Sequence, residues 1–222
     1  MSEIDVRYAL SPSEIVYLNA ERFAKTSRLG YRALAAEGKV NTTDLGRTVV
    51  AAAILALEAA GAVMLELEET RRFLLKVRHV RVAPVADGPS FPAPSLEEAL
   101  RGMALDLASS ANTVFVKDIL DAWIGEDTEQ SFTDLLDAVP GFLADRGLAI
   151  RREEKRLKVF TVTDYELPAS TRELAADRAP LDAVLALLAD CERDRPDLAK
   201  QLKREVGQPF ASGSGGDGGD FD

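Results

Sequence analysis

The stretch TRRFLLKVRHVRV, Thr70 to Val82, carries Arg71, Arg72, Lys76, Arg78 and Arg81 with His79 among them and no acid between. Cations at that density suit an anion-binding surface, for the phosphates of lipid headgroups or of nucleic acid. Positive side chains also keep an exposed edge strand from aggregating, so a solvated edge is the competing reading. In a strand, residues two apart share a face, which sends Lys76 and Arg78 one way and His79 and Arg81 the other. A second basic group lies in FLADRGLAIRREEKRLKVFTV, where Arg151, Arg152, Lys155, Arg156 and Lys158 surround Glu153 and Glu154.

Covalent and acid–base chemistry find little to work with. No GxSxG, GxxxxGK[ST] or HExxH pattern occurs, and no GxGxxG follows a strand. The carboxylate pairs Glu97 with Glu98 and Glu153 with Glu154 read as solvated surface. Cys191, beside Leu188 and Ala189 on an apolar helix, reads as a small buried hydrophobe. One cysteine excludes an internal disulfide, and with a single histidine it leaves no zinc set. The expectation is a non-enzymatic chain with no cofactor and no metal.

The elements that must position these residues follow from spacing. A helix begins in SPSEIVYLNAERF behind Ser11 or Ser13. Arg22 to Lys39 is basic on balance, with Gly30 and Gly38 as breaks, and reads as a strand or loop leading to a turn. NTTDLGRTVVAAAILALEAAG combines a capping cluster, Asn41 to Asp44, with Val49 to Ala60, apolar nearly all round, and a closing Gly61. AVMLELEETRRFLLKVRHVRV alternates as a hairpin, with its turn expected at Glu68, Glu69 and Thr70. APVADGPSFPAPS is a proline loop. Helices follow behind Ser95 with Glu98 at the capping-box offset, in VFVKDILDAWIGE, and in SFTDLLDAVPGFLADRG with Pro140 bending or interrupting it.

The quoted second hairpin comes next, then two late helices. The helix, glycine and hairpin outline thus occurs twice, at Gly61 and Gly147. The fold class predicted is mainly α: a compact helical domain over 1–206, with sub-units 10–85 and 95–206. It has a central apolar helix and two surface β-hairpins. Residues 207–222, rich in glycine, serine and aspartate, read as a disordered tail.

With 222 residues the chain can bury an ordinary core, and its formal charge of -10 opposes non-specific attraction to polyanions unless cations gather locally. No apolar run is long enough to cross a bilayer and no signal-peptide pattern opens the chain, so a cytoplasmic location is expected, peripheral at a membrane if lipid is bound. The second hairpin also resembles the wing of a winged-helix domain. The helix before it, however, carries Asp134, Asp137 and Asp145 against Arg146, which DNA would repel.

Four motifs in order, VVAAAILALEAAGAVMLELE, PSFPAPSLEEAL, VKDILDAWI and FLADRGLAIRREEKRLKVFTVTDYELPAS, resemble the Golgi phosphoprotein 3 family over most of Leu10 to Asp190. The resemblance implies a mainly helical domain with surface hairpins that reads phosphatidylinositol 4-phosphate and tethers glycosyltransferase tails. The family's headgroup site uses a tryptophan and an arginine before the core helix and two arginines on the later helix. Asn41 to Asp44 occupy the first region here, with Arg47 the nearest arginine, about one turn away, and Thr133 and Leu136 hold the later places. The resulting expectation is an adaptor or peripheral membrane module, using Arg47 and the Arg71 to Arg81 cluster if it binds anionic lipid. A tandem winged-helix regulator and a scaffold or cargo protein are the alternatives, and a protein partner is expected.

Overall fold

The computed structural model of the chain describes residues 10–72, 75–124, 132–156 and 160–207. Among these residues nine helices and six short strands make a mainly helical fold. The chain opens with α1 (Pro12–Leu18), the single turn α2 (Ala20–Phe23) and a short strand β1 (Thr26–Tyr31). The helix α3 (Thr42–Ala59) starts where the Asn41 side chain accepts from the Asp44 amide at 2.9 Å. It closes at Gly61 (φ +76°), where the Ala62 amide returns to the Leu57 carbonyl at 2.8 Å, a left-handed turn in which any side chain would be strained.

Every residue from Val49 to Leu57 is buried. A stretch with no polar face must be covered on all sides. It is covered by α1, α4 (Leu96–Ser110), α6 (Phe132–Asp145), α8 (Arg178–Asp194) and α9 (Pro196–Gly207). The strands β2 (Val63–Arg72) and β3 (Leu75–Pro84) pair antiparallel, and β4 (Val114–Phe115) adds to the other edge of β3, leading into α5 (Val116–Ile124). After α6, Gly147 (φ +75°) leads to the two-stranded β5 (Ile150–Arg156) and β6 (Phe160–Glu166), then α7 (Ala169–Ala176).

Three local expectations change. Glu68, Glu69 and Thr70 do not form the first turn; they continue β2 opposite His79, Arg78 and Val77. The reason is charge: Glu66 faces Arg81 and Glu69 faces Arg78, so glutamates that look like turn residues are cross-strand partners. Pro140 lies inside α6, which continues through it to Asp145. The polar PDLAKQLKREVG, given no element from spacing, is α9. It buries Leu198, Leu202 and Val206 on one side, and Glu205 with them.

Candidate functional site

Five of the basic residues marked from the sequence, Lys76, Arg78, Arg81, Arg151 and Arg152, are committed to carboxylates. Lys76 lies 2.7 Å from Glu69, which also meets Arg78 at 3.7 Å, and the Lys76 hydrogen bond holds the Glu69 carboxyl below its usual range. Arg78 reaches Asp197 of α9 at 3.1 Å, and Arg81 reaches Glu66 at 3.3 Å. Arg151 pairs with Asp145 at 3.1 Å beside the Tyr165 ring, and Arg152 pairs with Glu166. Pairs this exposed contribute little stability, but each cancels charge that an anion would need. Arg71 and Arg72 fall in β2, Lys155 and Arg156 in β5; Lys158 and the tail from 208 onward lie outside the described residues.

Arg47 is exposed on α3, and its guanidinium packs on Gly207, where an added Cβ would sit 2.6 Å from its nitrogen. The end of α9 is held there by Glu205. Its buried carboxylate accepts from the Val80 amide at 3.1 Å, lies 3.0 Å from Nδ1 of His79, and ties the helix to β3.

A different set of cations stands free. Residues 21–39 carry five cations (Arg22, Lys25, Arg28, Arg32 and Lys39) against two carboxylates, Glu21 and Glu37, in a chain of net charge -10. Among the described residues none of these five nitrogens has a carboxylate within ion-pair distance. All five side chains are exposed. Arg32 donates to the Glu37 carbonyl at 2.7 Å, and Glu21 accepts from the Gly38 amide at 2.7 Å, so both stiffen the segment from within.

The backbone explains the shape. Thr26 and Tyr31 both bridge Val40, which forces the residues between them to arch outward. Gly30 makes the arch possible, since a Cβ there would lie 1.8 Å from the Val40 carbonyl oxygen. The base is tied down. Lys25 O accepts from the Asn41 amide at 2.7 Å, Lys39 O accepts from Ser27 at 2.9 Å, and the Tyr31 hydroxyl donates to Asp137 of α6 at 2.8 Å. Lys25, Arg28 and Lys39 are all exposed around this base. Arg28 and Leu29 form the crest, and Leu29 is 92% exposed.

Where α1 meets α4, the core holds a buried acid pair. Glu97, read from the sequence as solvated surface, is fully buried: it accepts from the Ser13 amide at 2.7 Å and the Ser13 hydroxyl at 2.9 Å, capping α1 from the first turn of α4. Glu14, also fully buried, accepts from the Ser11 amide at 2.8 Å and from the Arg146 guanidinium. Burial pushes the Glu14 carboxyl up to about 7, against the opposing pull of Arg146, and burial raises Glu97 as well. The folded protein therefore keeps a Glu14 proton that the unfolded chain gives up near 4.5, so this stabilisation is complete below pH 4.5 and lost as pH rises through 7. Relative to Glu14→Gln, the wild type should lose on the order of 3 kcal/mol of unfolding free energy between about pH 5 and 8. Urea titrations at both pH values measure it; parallel behaviour of the two proteins contradicts it.

On the opposite end of α3, a groove of about 520 Å³ runs between Leu55 and Ala59 of α3 and Ala183, Leu187 and Cys191 of α8. Arg195 closes its rim with two hydrogen bonds to Glu58, at 2.6 and 2.5 Å. Cys191 is buried as expected, and burial raises its thiol pKa, so it is held as the unreactive thiol. Among the described residues no group of histidine, cysteine and carboxylate side chains has the makings of a metal site, and no helix is long and apolar enough to cross a membrane. No family model, curated protein or solved structure matches the chain, so the geometry of the arch and its supports carries the functional reading.

Proposed function

We propose that this chain is a non-enzymatic peripheral module that docks on anionic membrane surfaces through the arch at residues 25–39. The single observation that carries it is Leu29, 92% exposed at the crest of a tied-down turn, among cations with no carboxylate partner in the described residues. A leucine so placed gains nothing in water. At a bilayer its burial contributes roughly 1.5–3 kcal/mol, and each nearby Lys or Arg adds about 1 kcal/mol on an anionic leaflet. The screening length of about 8–10 Å confines the effect to the arch, so the net negative charge elsewhere does not cancel it.

Nucleic acid offers the same phosphates but no apolar layer for Leu29. The wing reading is further weakened by Arg146, which is turned inward onto Glu14. The motif order behind the resemblance to the Golgi phosphoprotein 3 family supports a module of that general kind, built on a central apolar helix with hairpins at the surface. Its headgroup contacts would be Lys25, Arg28 and Lys39 instead of the family's set. In an adaptor role, the groove between α3 and α8 is the face left for a protein partner.

Co-sedimentation with phosphatidylserine-containing and pure phosphatidylcholine vesicles tests the proposal. Binding to the anionic vesicles alone, reduced between about 0.1 M and 1 M salt as the screening length falls from about 10 to 3 Å, is expected. Equal, negligible sedimentation with both removes the membrane role.

A further inference from the structure

The two ends of α3 carry complementary surfaces. At its start the arch exposes Leu29 among five cations that have no carboxylate partner within the described residues. At its far end lies the groove of about 520 Å³, floored by Leu55 and Ala59 of α3 and by Ala183 and Leu187 of α8. Its surroundings are acidic: between Asp177 and Asp194 the chain carries five carboxylates against two arginines. Arg193 stands 2.8 Å from both Asp190 and Asp194, one guanidinium between two carboxylates, and Arg195 is held by Glu58. Asp182, exposed one turn before Ala186, has no ion-pair partner among the described residues. We infer that the Leu29 crest of one molecule docks in the α3–α8 groove of a second copy, with the arch cations against the carboxylates of α8. The inference shares the crest with the membrane reading but does not rest on it, since either contact can exist alone.

The chain cannot make this contact with itself. Asn41 and Ala59 are separated by about 27 Å of helix, and the arch is pinned at the near end by the Asn41 amide on Lys25 O and by the Tyr31 hydroxyl on Asp137. A second molecule is under no such constraint, and every copy carries both halves. Arch and groove are different patches, so the contact is head-to-tail. Each molecule added leaves one arch and one groove free, and growth continues as an open chain unless the rotation closes a ring.

The pairing has the right chemistry on both counts. Taking Leu29 out of water against the apolar floor strengthens association by about 10- to 100-fold. The charges then choose the orientation. Within a screening length of about 8 Å, arch against α8 attracts, whereas arch against arch and α8 against α8 repel, so the symmetric pairings are disfavoured. One turn seated in one groove falls short of the roughly 1,200 Å² of a stable interface, so the association is weak and depends on concentration. Because the contact covers Leu29, a molecule inside such a chain has no free crest, and only the one at the arch end still presents it.

Sedimentation velocity of the full-length chain, from about 10 μM to 1 mM, reads the association. The mean mass of the wild type should rise with concentration. Leu29→Asp, which spoils the crest, and Ala186→Arg, which fills the groove, should each weaken association by at least about 10-fold. Both positions are exposed, so unchanged thermal unfolding is the control for folding. Mixing the two variants is the sharper test, because the Ala186→Arg chain keeps its arch and the Leu29→Asp chain keeps its groove. The mixture should form one-to-one dimers and nothing larger, although neither variant associates alone. A wild type that stays monomeric throughout overturns the inference and leaves the groove to a different partner; a mixture that stays monomeric, or a variant that associates like wild type, overturns it too. Phosphatidylserine vesicles separate it from the membrane reading. Vesicle binding by a wild type that is monomeric in solution sinks this inference alone, and head-to-tail association without vesicle binding upholds it and removes the membrane role.

Discussion

Replacing Lys25, Arg28 and Lys39 together by glutamate should weaken binding to anionic vesicles by at least about 100-fold, since three cations near an anionic leaflet contribute about 3 kcal/mol and reversal turns each into a repulsion. The fold should be unaffected. All three side chains are exposed, and none makes an ion pair or side-chain hydrogen bond among the described residues, so near-native thermal unfolding is the built-in control. The contrast is Lys76→Glu with Arg78→Glu and Arg81→Glu. Those cations already answer to Glu69, Asp197 and Glu66, and their reversal should change vesicle binding much less while loosening the joint between β3 and α9. If the β3 variant lost binding and the arch variant kept it, the surface would lie on the first hairpin.

Arg146→Met should be the most destabilising single change that leaves the arch intact. The guanidinium is 11% exposed and sits on the fully buried Glu14, with Glu97 contributing a second carboxyl to the same place. Removing one partner of a buried pair costs about 3–5 kcal/mol when the other must stay charged. Here Glu14 can take up a proton, so the penalty should be largest near pH 8 and markedly smaller near pH 5. Urea unfolding of the variant and wild type at those two pH values reads both the size and the sign. A cost independent of pH would mean that Arg146 acts by packing its stem rather than by charge. Arginine stems do cover apolar surface, so that outcome has its own physical basis.

Much of the backbone was legible because its causes are local. The Asn41 cap, the unbroken apolar run Val49 to Leu57 and the left-handed Gly61 specify α3 within a few residues of one another, and the second glycine, Gly147, repeats the device before β5. The side chains were harder, because their partners are far away in sequence. Glu97 follows a serine cap and precedes another glutamate, the usual dress of a solvated first turn. Nothing nearby in the sequence tells that Ser13, from another helix, will stand over it.

The ion pairs of the β3 cations were hidden for the same reason. The run from Arg71 to Arg81 looks free because no acid interrupts it, but the acids that meet Lys76, Arg78 and Arg81 lie across the hairpin at Glu66 and Glu69 and on α9 at Asp197. The arch had a signal that could be read, five cations and two carboxylates between residues 21 and 39 of a strongly acidic chain. What hid it was the need for Val40 to be bridged twice, which turns an unremarkable strand into a crest and lifts Leu29 into solvent.

The most direct test of the docking surface is a polarity-sensitive fluorophore at the crest, attached through Leu29→Cys in a Cys191→Ala background, with the same label at the half-exposed Ile150 of β5 as the reference. On adding phosphatidylserine vesicles the crest label should shift its emission to the blue, the Ile150 label should not, and about 1 M salt should reverse the shift. A crest label whose emission stays that of a water-exposed dye while the protein sediments with the vesicles would contradict the account, and would place the contact elsewhere on the molecule.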